Sequence, residues 1–338
     1  MTMLTHGPVR TSFDFDAPGK RSGFLDLTHS SNDLAFSAIR VPVGVINGGD
    51  GPTVLMSAGN HGDEYEGQVI LHQLMQTLDP GDIQGRIIFL PALNTPAVRA
   101  RARVSPLDGG NMNRSFPGDP TSGPTAAIAA FVNAHLIGRA DVVLDYHSGG
   151  TATEYVDCGF LCVGPNATLN AANLELAHVF GAPFTMVCPI DGTGGDFDTA
   201  AYLQNTRFLS CELGGLGRFS PAAFQIGWDA TRRVLSHLGL IQKETTPPKT
   251  RFIDITGHSS FTSAAHHGLA QLHVSPGDQV AVGDLLATLH DLHNFGEQRA
   301  AYHADRAGVI SICRRNPVVA PGDHLCLLSA EIPAKDVL

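Results

Sequence analysis

Long hydrophobic runs are missing from this 338-residue chain. No window approaches the roughly 18–20 consecutive apolar residues of a bilayer-spanning helix, and a membrane partner is not expected. The first 25 residues include Asp14, Asp16, Lys20 and Arg21 and hold no apolar core of signal-peptide length, so a cytoplasmic location is expected. Basic residues are outnumbered: 22 Lys and Arg stand against 32 Asp and Glu, for a formal net charge of −10, with a pI near 5.8. That balance argues against nucleic acid or an anionic membrane surface as partner. The six cysteines form no CxxC pair. In a chain this long they read as buried apolar residues in a reducing compartment, and Cys158 and Cys162 read as strand residues rather than metal ligands. There is no GxSxG elbow, no Walker loop and no GxGxxG after a strand, which removes the common signatures of serine hydrolases, nucleotidases and dinucleotide enzymes.

What the chain does hold is a series of apolar runs punctuated by 37 glycines and 21 prolines. Leu34–Ile46 alternates as a strand would and ends at the turn Asn47-Gly48-Gly49-Asp50-Gly51-Pro52. Strands are expected at 53–58, 86–90, 141–146, 159–163 and 207–212, and helices at 64–78, 125–137, 169–180 and 221–240. Near-continuous apolar strands alternating with helices indicate an α/β fold, a mostly parallel mixed sheet covered on both faces. Ligands of such sheets bind at the carboxyl ends of the strands.

Four regions are expected. Residues 1–33 form an N-terminal arm or strand region and 34–242 the catalytic domain. Residues 243–250, with Thr245-Thr246-Pro247-Pro248-Lys249, form a linker, and 251–338 a small all-β domain. The last shows short strands between glycine turns. Its run Leu272–Ala287 resembles the hammerhead fold of biotinyl and lipoyl domains. The lysine that those domains modify is absent, with Arg314-Arg315-Asn316 in its likely region, so a structural or oligomer-forming role is favoured over a carrier role.

The most informative stretch is Asn60-His61-Gly62-Asp63-Glu64, which follows the Thr53–Ala58 strand. His61 and Glu64 sit three apart in a strand-to-helix turn, and His147 ends the 141–146 strand in Asp145-Tyr146-His147-Ser148-Gly149. Two imidazoles and one carboxylate are the ligand set of a catalytic zinc with its fourth position open. Asp145, two residues before His147 on a strand, can share its face and support a ligand imidazole. Such pairs occur by chance, but the flanking Gly59 and Gly62 and the second strand-end motif make chance less plausible here.

Glu212 ends an apolar strand beside Gly214-Gly215. A carboxylate there is costly to bury without a partner. It suits a general base on water and then a proton donor to a leaving amine, with a helix cap or an arginine partner as the bland alternative. Arg99 and Arg101 read as a solvated charge run, whereas Arg103 could polarise a scissile carbonyl. Asn113-Arg114 lies in a loop bounded by glycine and proline, where a guanidinium can grip a carboxylate. His72, His266, His267, His290 and His293 read as exposed or satisfied histidines.

The set Gly59–Glu64, Asn113-Arg114 with Phe116-Pro117-Gly118, Asp145–Gly149 and Glu212–Gly215 occurs here in order. It resembles the succinylglutamate desuccinylase/aspartoacylase family of zinc carboxypeptidase-like hydrolases, over residues ~35–330. The resemblance implies one zinc ion per subunit on His61, Glu64 and His147, with Glu212 as catalytic acid/base. It also implies that Asn113 and Arg114 hold a substrate α-carboxylate and that Arg103 assists the carbonyl. The stretches 59–67, 105–118 and 198–201 resemble the branch that deacetylates Nα-acetyl-2,4-diaminobutyrate in ectoine breakdown. For that product an acidic residue should meet the side-chain ammonium, and Asp196 or Asp198, in a glycine-rich loop, is the candidate. The spacing from Arg103 to Asn113 is longer than in aspartoacylases.

The expected activity is therefore zinc-dependent removal of a small acyl group from the α-nitrogen of an amino acid, with a small N-acyl amino acid as partner. Aspartoacylase- or desuccinylase-type deacylases and a zinc carboxypeptidase are the rivals within the class. A metal-binding, non-catalytic homologue is the rival outside it. A homo-oligomer is compatible with all of these.

Overall fold

The computed structural model describes residues 3–30, 35–190, 194–242, 246–257 and 259–338. The expected boundary between residues 33 and 34 and the first part of the expected linker, residues 243–245, lie outside the described residues.

A large mixed sheet organises the chain. Its centre runs, in spatial order, through Ser37–Asn47, Arg86–Leu90, Thr53–Ala58, Val142–His147, Arg207–Glu212, Cys158–Val163 and Phe184–Pro189. The three neighbour pairs from Arg86–Leu90 to Arg207–Glu212 are parallel. The Cys158–Val163 strand then runs antiparallel to Arg207–Glu212 and parallel to Phe184–Pro189. On one side, Gly19–His29 pairs antiparallel with Ser37–Asn47 along eleven residue pairs, and two short strands continue the sheet outward. On the other side, Arg251–Asp254 adds in parallel and His324–Ile332 pairs antiparallel with it. A separate four-stranded antiparallel sheet holds Gly268–Leu272, Leu285–His290, Gln298–His303 and Val318–Val319.

The strand sequences explain why this sheet is inside. Every residue of Thr53–Ala58 and of Val142–His147 is buried, which requires cover on both faces. Val54, Met56, Leu144 and Leu209 point to one face, against Ile70, Leu71 and Leu74 of the Glu66–Thr77 helix and Val234 of the Pro221–His237 helix. Leu55, Val143 and Phe208 point to the other, against Ile128, Phe131 and Phe197. Each fully buried Leu, Ile or Phe in these layers contributes about 1.5–3 kcal/mol. Alternation then fixes where the polar residues go. Asp145 and His147 follow Val143 at even steps, and Glu212 follows Phe208 likewise, so all three share the Phe131 face at the carboxyl edge.

Local signals set the helix ends. Ser220 caps Pro221–His237 by accepting from the Ala223 amide, and Asn166 caps Ala167–Phe180 by accepting from the Leu169 amide. The first helix starts at Glu66, two residues later than the sequence suggests, with Tyr65 at its N-cap. Glu64 consequently sits in the preceding turn, free of helical geometry. The sequence reading of Asp196 and Asp198 as loop residues is corrected. Asp196 is the N-cap of a short helix, Phe197–Leu203, accepting from the Thr199 amide, and Asp198 lies in its first turn. The preceding Gly194-Gly195 masked the short helix.

Candidate active site

The turn after Thr53–Ala58 is built for close approach. Gly59 has φ +72°, and a Cβ on Gly62 would sit 2.0 Å from the Ala97 carbonyl. Only glycine fits these positions, so the turn can fold back and aim His61 and Glu64 at the end of the next strand. His147 comes from that strand. The structure brings His61, Glu64 and His147 together, all buried, with one donor atom from each within 4.8 Å of the others.

Hydrogen bonds settle which atoms face inward. The Nδ1 of His61 meets the Arg103 carbonyl at 3.1 Å, which leaves its Nε2 for the centre. The Nε2 of His147 meets Asp145 Oδ2 at 2.8 Å, and its Nδ1 lies 3.1 Å from Glu64 Oε2. Asp145 Oδ2 also accepts from Asn60 Nδ2 at 2.6 Å. The expectation that Asp145 supports a ligand imidazole therefore has its geometry.

Electrostatics favour a cation here. Burial, aided by the charges of His147 and Arg103, holds the His61 pKa down at about 2, so its imidazole is neutral with a free lone pair. Burial also raises the Glu64 pKa. Burial works to lower the His147 pKa, but Asp145 and then Glu64 outweigh it and the result is raised. A protonated His147 donates to both buried carboxylates, from Nε2 to Asp145 and from Nδ1 to Glu64, and a divalent cation in place of the Nδ1 proton would satisfy the same charges. The donor set fits a metal of the zinc type.

Glu212 stands in register with His147 on the adjacent strand. Its Oε2 is shielded and has no hydrogen-bond partner. Burial, then the charge of Glu64, pushes its pKa well above the usual carboxylate range, against His147 and Arg103. Neither a helix cap nor an arginine hydrogen bond accounts for it among the described residues. Arg103 is half-exposed, with Nη1 3.6 Å from Glu64 Oε1.

These residues line one cavity of about 820 Å³, together with Asn113, Arg114, Asp196 and Asp198. The Oδ1 of Asn113 accepts from the Phe197 amide at 3.0 Å, tying the Arg114 loop to the short helix. Burial pushes the Asp198 carboxyl up to about 7, with Asp196 adding to it. Asp196 goes the other way: burial raises it, but its bonds to Asp198 and Thr199 and the charge of Arg114 win and lower it.

Sequence reasoning passed over several residues. Asp63 is buried and accepts from both the Thr151 amide and hydroxyl at 2.7 Å, holding the loop after His147. Tyr155, Phe261 and Ile312 also line the cavity. Five of the six cysteines are buried as the sequence suggests and Cys188 is half-buried; Cys162 and Cys188 also line the cavity, with Cys162 beside Asp198. Their approach depends on strand register, which the sequence does not display. The other expected structural histidines stay outside the cavity.

The C-terminal strands complete the wall. Thr153–Tyr155 pairs antiparallel with Gly308–Arg314. Arg315, in the stretch standing where a carrier lysine would be, donates from Nε to Glu154 Oε2 at 2.7 Å and from its amide to the Ala152 carbonyl at 2.8 Å.

A buried centre of two histidines and a glutamate at the carboxyl edge of a mixed sheet, with an unpartnered carboxylate beside it, is the site of a hydrolase. Comparison with known proteins defines the kind. The succinylglutamate desuccinylase/aspartoacylase catalytic domain matches residues 50–238. The chain belongs to that family, whose members hydrolyse amide bonds. It is 38% identical over 324 residues to the N-alpha-acetyl-L-2,4-diaminobutyric acid deacetylase of Halomonas elongata, covering 95% of each chain. Among solved structures, the product-bound ectoine utilization protein EutE (DoeB) of Ruegeria pomeroyi superposes with a TM-score of 0.92 at 34% identity, over 96% of this chain and 100% of that one. A succinylglutamate desuccinylase from Silicibacter sp. also gives a TM-score of 0.92, at 32% identity over 97% of this chain and 100% of that one. No helix among the described residues is long and apolar enough to cross a membrane.

Proposed function

We propose that the protein hydrolyses N-alpha-acetyl-L-2,4-diaminobutyrate to acetate and 2,4-diaminobutyrate. The reaction would belong to cytoplasmic ectoine breakdown, with one zinc ion per subunit on His61, Glu64 and His147. The observation that carries the reading is the composition of one cavity. It joins the histidine–glutamate centre, an arginine for a carboxylate, and the acid pair Asp196 and Asp198 for a second amino group. The relatives named for this substrate and for ectoine utilization support the same choice.

Zinc in the centre would supply Lewis acidity, towards a water molecule and towards the amide carbonyl. The protein's residues do the rest. Arg114 and Asn113 hold the α-carboxylate, and Asp198 faces the side-chain ammonium. Glu212 takes a proton from the attacking water as its oxygen adds to the acetyl carbon. Arg103 stabilises the developing oxyanion. Glu212 then gives the proton to the α-nitrogen, the C–N bond breaks, and acetate and the free amine leave. A carboxyl whose pKa is raised by burial suits both halves of this transfer.

The test is a panel of acetyl-diaminobutyrate, acetyl-aspartate, succinyl-glutamate and acetyl-ornithine against zinc-loaded protein, read by product release. The highest kcat/KM is expected for acetyl-diaminobutyrate. No cleavage of any member would refute the deacylase reading, and a preference for acetyl-aspartate would refute the role of Asp198.

A further inference from the structure

Two thiols face each other in the wall of the cavity, on strands that run side by side. Cys162 of Cys158–Val163 and Cys188 of Phe184–Pro189 hold paired positions in the parallel register. Paired residues of neighbouring strands share a face, and neighbouring strands lie about 4.7–4.9 Å apart. That spacing falls within the roughly 4.4–6.8 Å between Cα atoms that a disulfide spans. The sulfurs are 3.1 Å apart, and both residues line the cavity. On its other side, the Cys162 thiol donates to Asp198 Oδ2 at 2.6 Å. All six cysteines are free thiols. We infer that Cys162 and Cys188 are an oxidative modification site: a peroxide entering the cavity converts the pair to a disulfide, and a thiol reductant reopens it.

The two thiols differ in a way that sets the order of events. Cys188 is half-buried and Cys162 buried, so a peroxide meets Cys188 first. As its thiolate, Cys188 attacks one peroxide oxygen. An S–O bond forms, the O–O bond breaks, and the hydroxide that leaves takes up the proton Cys188 released. Cys188 now carries a sulfenic acid. Contact with Cys188, then burial and the charge of Asp198, push the Cys162 pKa well above the usual thiol range, so Cys162 still holds its proton. Its sulfur attacks the sulfenic sulfur. The S–S bond forms, the S–O bond breaks, and the Cys162 proton passes by way of Asp198 to the departing hydroxide. Two thiols lose two electrons, and the peroxide is reduced to two water molecules. The sulfurs need close by only about 1 Å to reach the ~2.05 Å of an S–S bond. In a reducing compartment such a bond is transient, which suits a sensor and not a structural staple. It also takes from Asp198 the thiol donor that favours its charged form. If Asp198 meets the substrate ammonium, as proposed above, oxidation weakens substrate binding; that consequence alone rests on the functional reading.

The test treats reduced, zinc-loaded protein with hydrogen peroxide, blocks the remaining thiols by alkylation and maps the peptides by mass spectrometry. A Cys162–Cys188 crosslink should form with loss of two of the six free thiols, and a thiol reductant should restore both. Cys188→Ser should abolish the loss. Cys162→Ser should halt the oxidation at Cys188, captured as a sulfenic acid adduct with a cyclic dione. Asp198→Asn should slow the closing step and let the same adduct accumulate. Circular dichroism confirms that each variant is folded. No crosslink in the wild-type protein, at peroxide levels that oxidise its methionines, would overturn the site. So would a thiol loss that persists in Cys188→Ser, which would point to the buried pair Cys313 and Cys326, also in register. The KM for acetyl-diaminobutyrate is a separate readout. Oxidation should raise it about two- to tenfold, reversibly, in the wild-type protein and not in Cys188→Ser. A crosslink without that rise would leave the modification site standing and refute the ammonium role of Asp198.

Discussion

Replacing Asp145 with Asn probes the centre without touching a ligand. The side chain is 1% exposed, and its Oδ2 accepts two hydrogen bonds, from His147 Nε2 and Asn60 Nδ2, while its Oδ1 accepts none. An asparagine has one oxygen. Placed at the Oδ2 position it keeps both bonds, but its NH2 group then stands in the shielded place of Oδ1 with nothing to donate to, at a cost of about 1–3 kcal/mol. Turned round, it presents an NH2 to two donors and loses both bonds. In the first case the bond to His147 falls from the charge-assisted range, about 1.5–3 kcal/mol, to the neutral one, about 0.5–1.5 kcal/mol, and in the second it is gone. His147 loses both its orientation and the group that makes it a strong ligand. Metal affinity should drop about 10–100-fold, equivalent to roughly 1.4–2.7 kcal/mol. Competition for zinc with a chromophoric chelator measures this, with thermal unfolding followed alongside. An affinity within about twofold of wild type in a folded variant would refute the argument that Asp145 sets the donor power of His147.

Three further outcomes are expected. Glu212→Gln should lower kcat by about 10²–10⁴-fold with zinc retained on metal analysis; undiminished turnover would remove Glu212 as the acid/base. Arg114→Lys should raise KM by about tenfold or more, because a point charge replaces a planar fork, with kcat less affected; an unchanged KM would take the α-carboxylate away from Arg114. The Asp198 carboxyl, raised by burial to about 7, is protonated below that pH and charged above it. It faces Asp196 and Cys162, with the charge of Arg114 acting on Asp196. KM should therefore climb as pH falls through about 7, by up to about tenfold per unit, and Asp198→Asn should flatten that profile. A profile that survives the substitution assigns the titration elsewhere.

Much of the scaffold was legible because its strands are bounded apolar runs. The strands at Thr53–Ala58, Arg86–Leu90 and Arg207–Glu212 have the limits their sequences suggest. What escaped was short or sent mixed signals. The Phe184–Pro189 strand carries a threonine and a proline within six residues, and the Thr95–Ala100 helix sits inside an arginine-rich stretch. Phe197–Leu203 is a helix because Asp196 caps it, a signal outweighed by the glycines before it. His61, Glu64, His147 and Glu212 could be picked out because each sits at a strand end. Asp63 and the pairing of Cys162 with Cys188 could not, since both depend on how distant strands align.

The pairing of Thr153–Tyr155 with Gly308–Arg314, pinned by Arg315 on Glu154 across 161 positions of chain, has a consequence for biosynthesis. The histidine centre is encoded in the first half of the message, yet one wall of its chamber is translated near the end. A ribosome-bound intermediate can gather the metal ligands before it has a closed reaction vessel. The chamber closes only when the last strands dock, so discrimination among amides is a property of the finished chain and not of the segment that carries His61, Glu64 and His147.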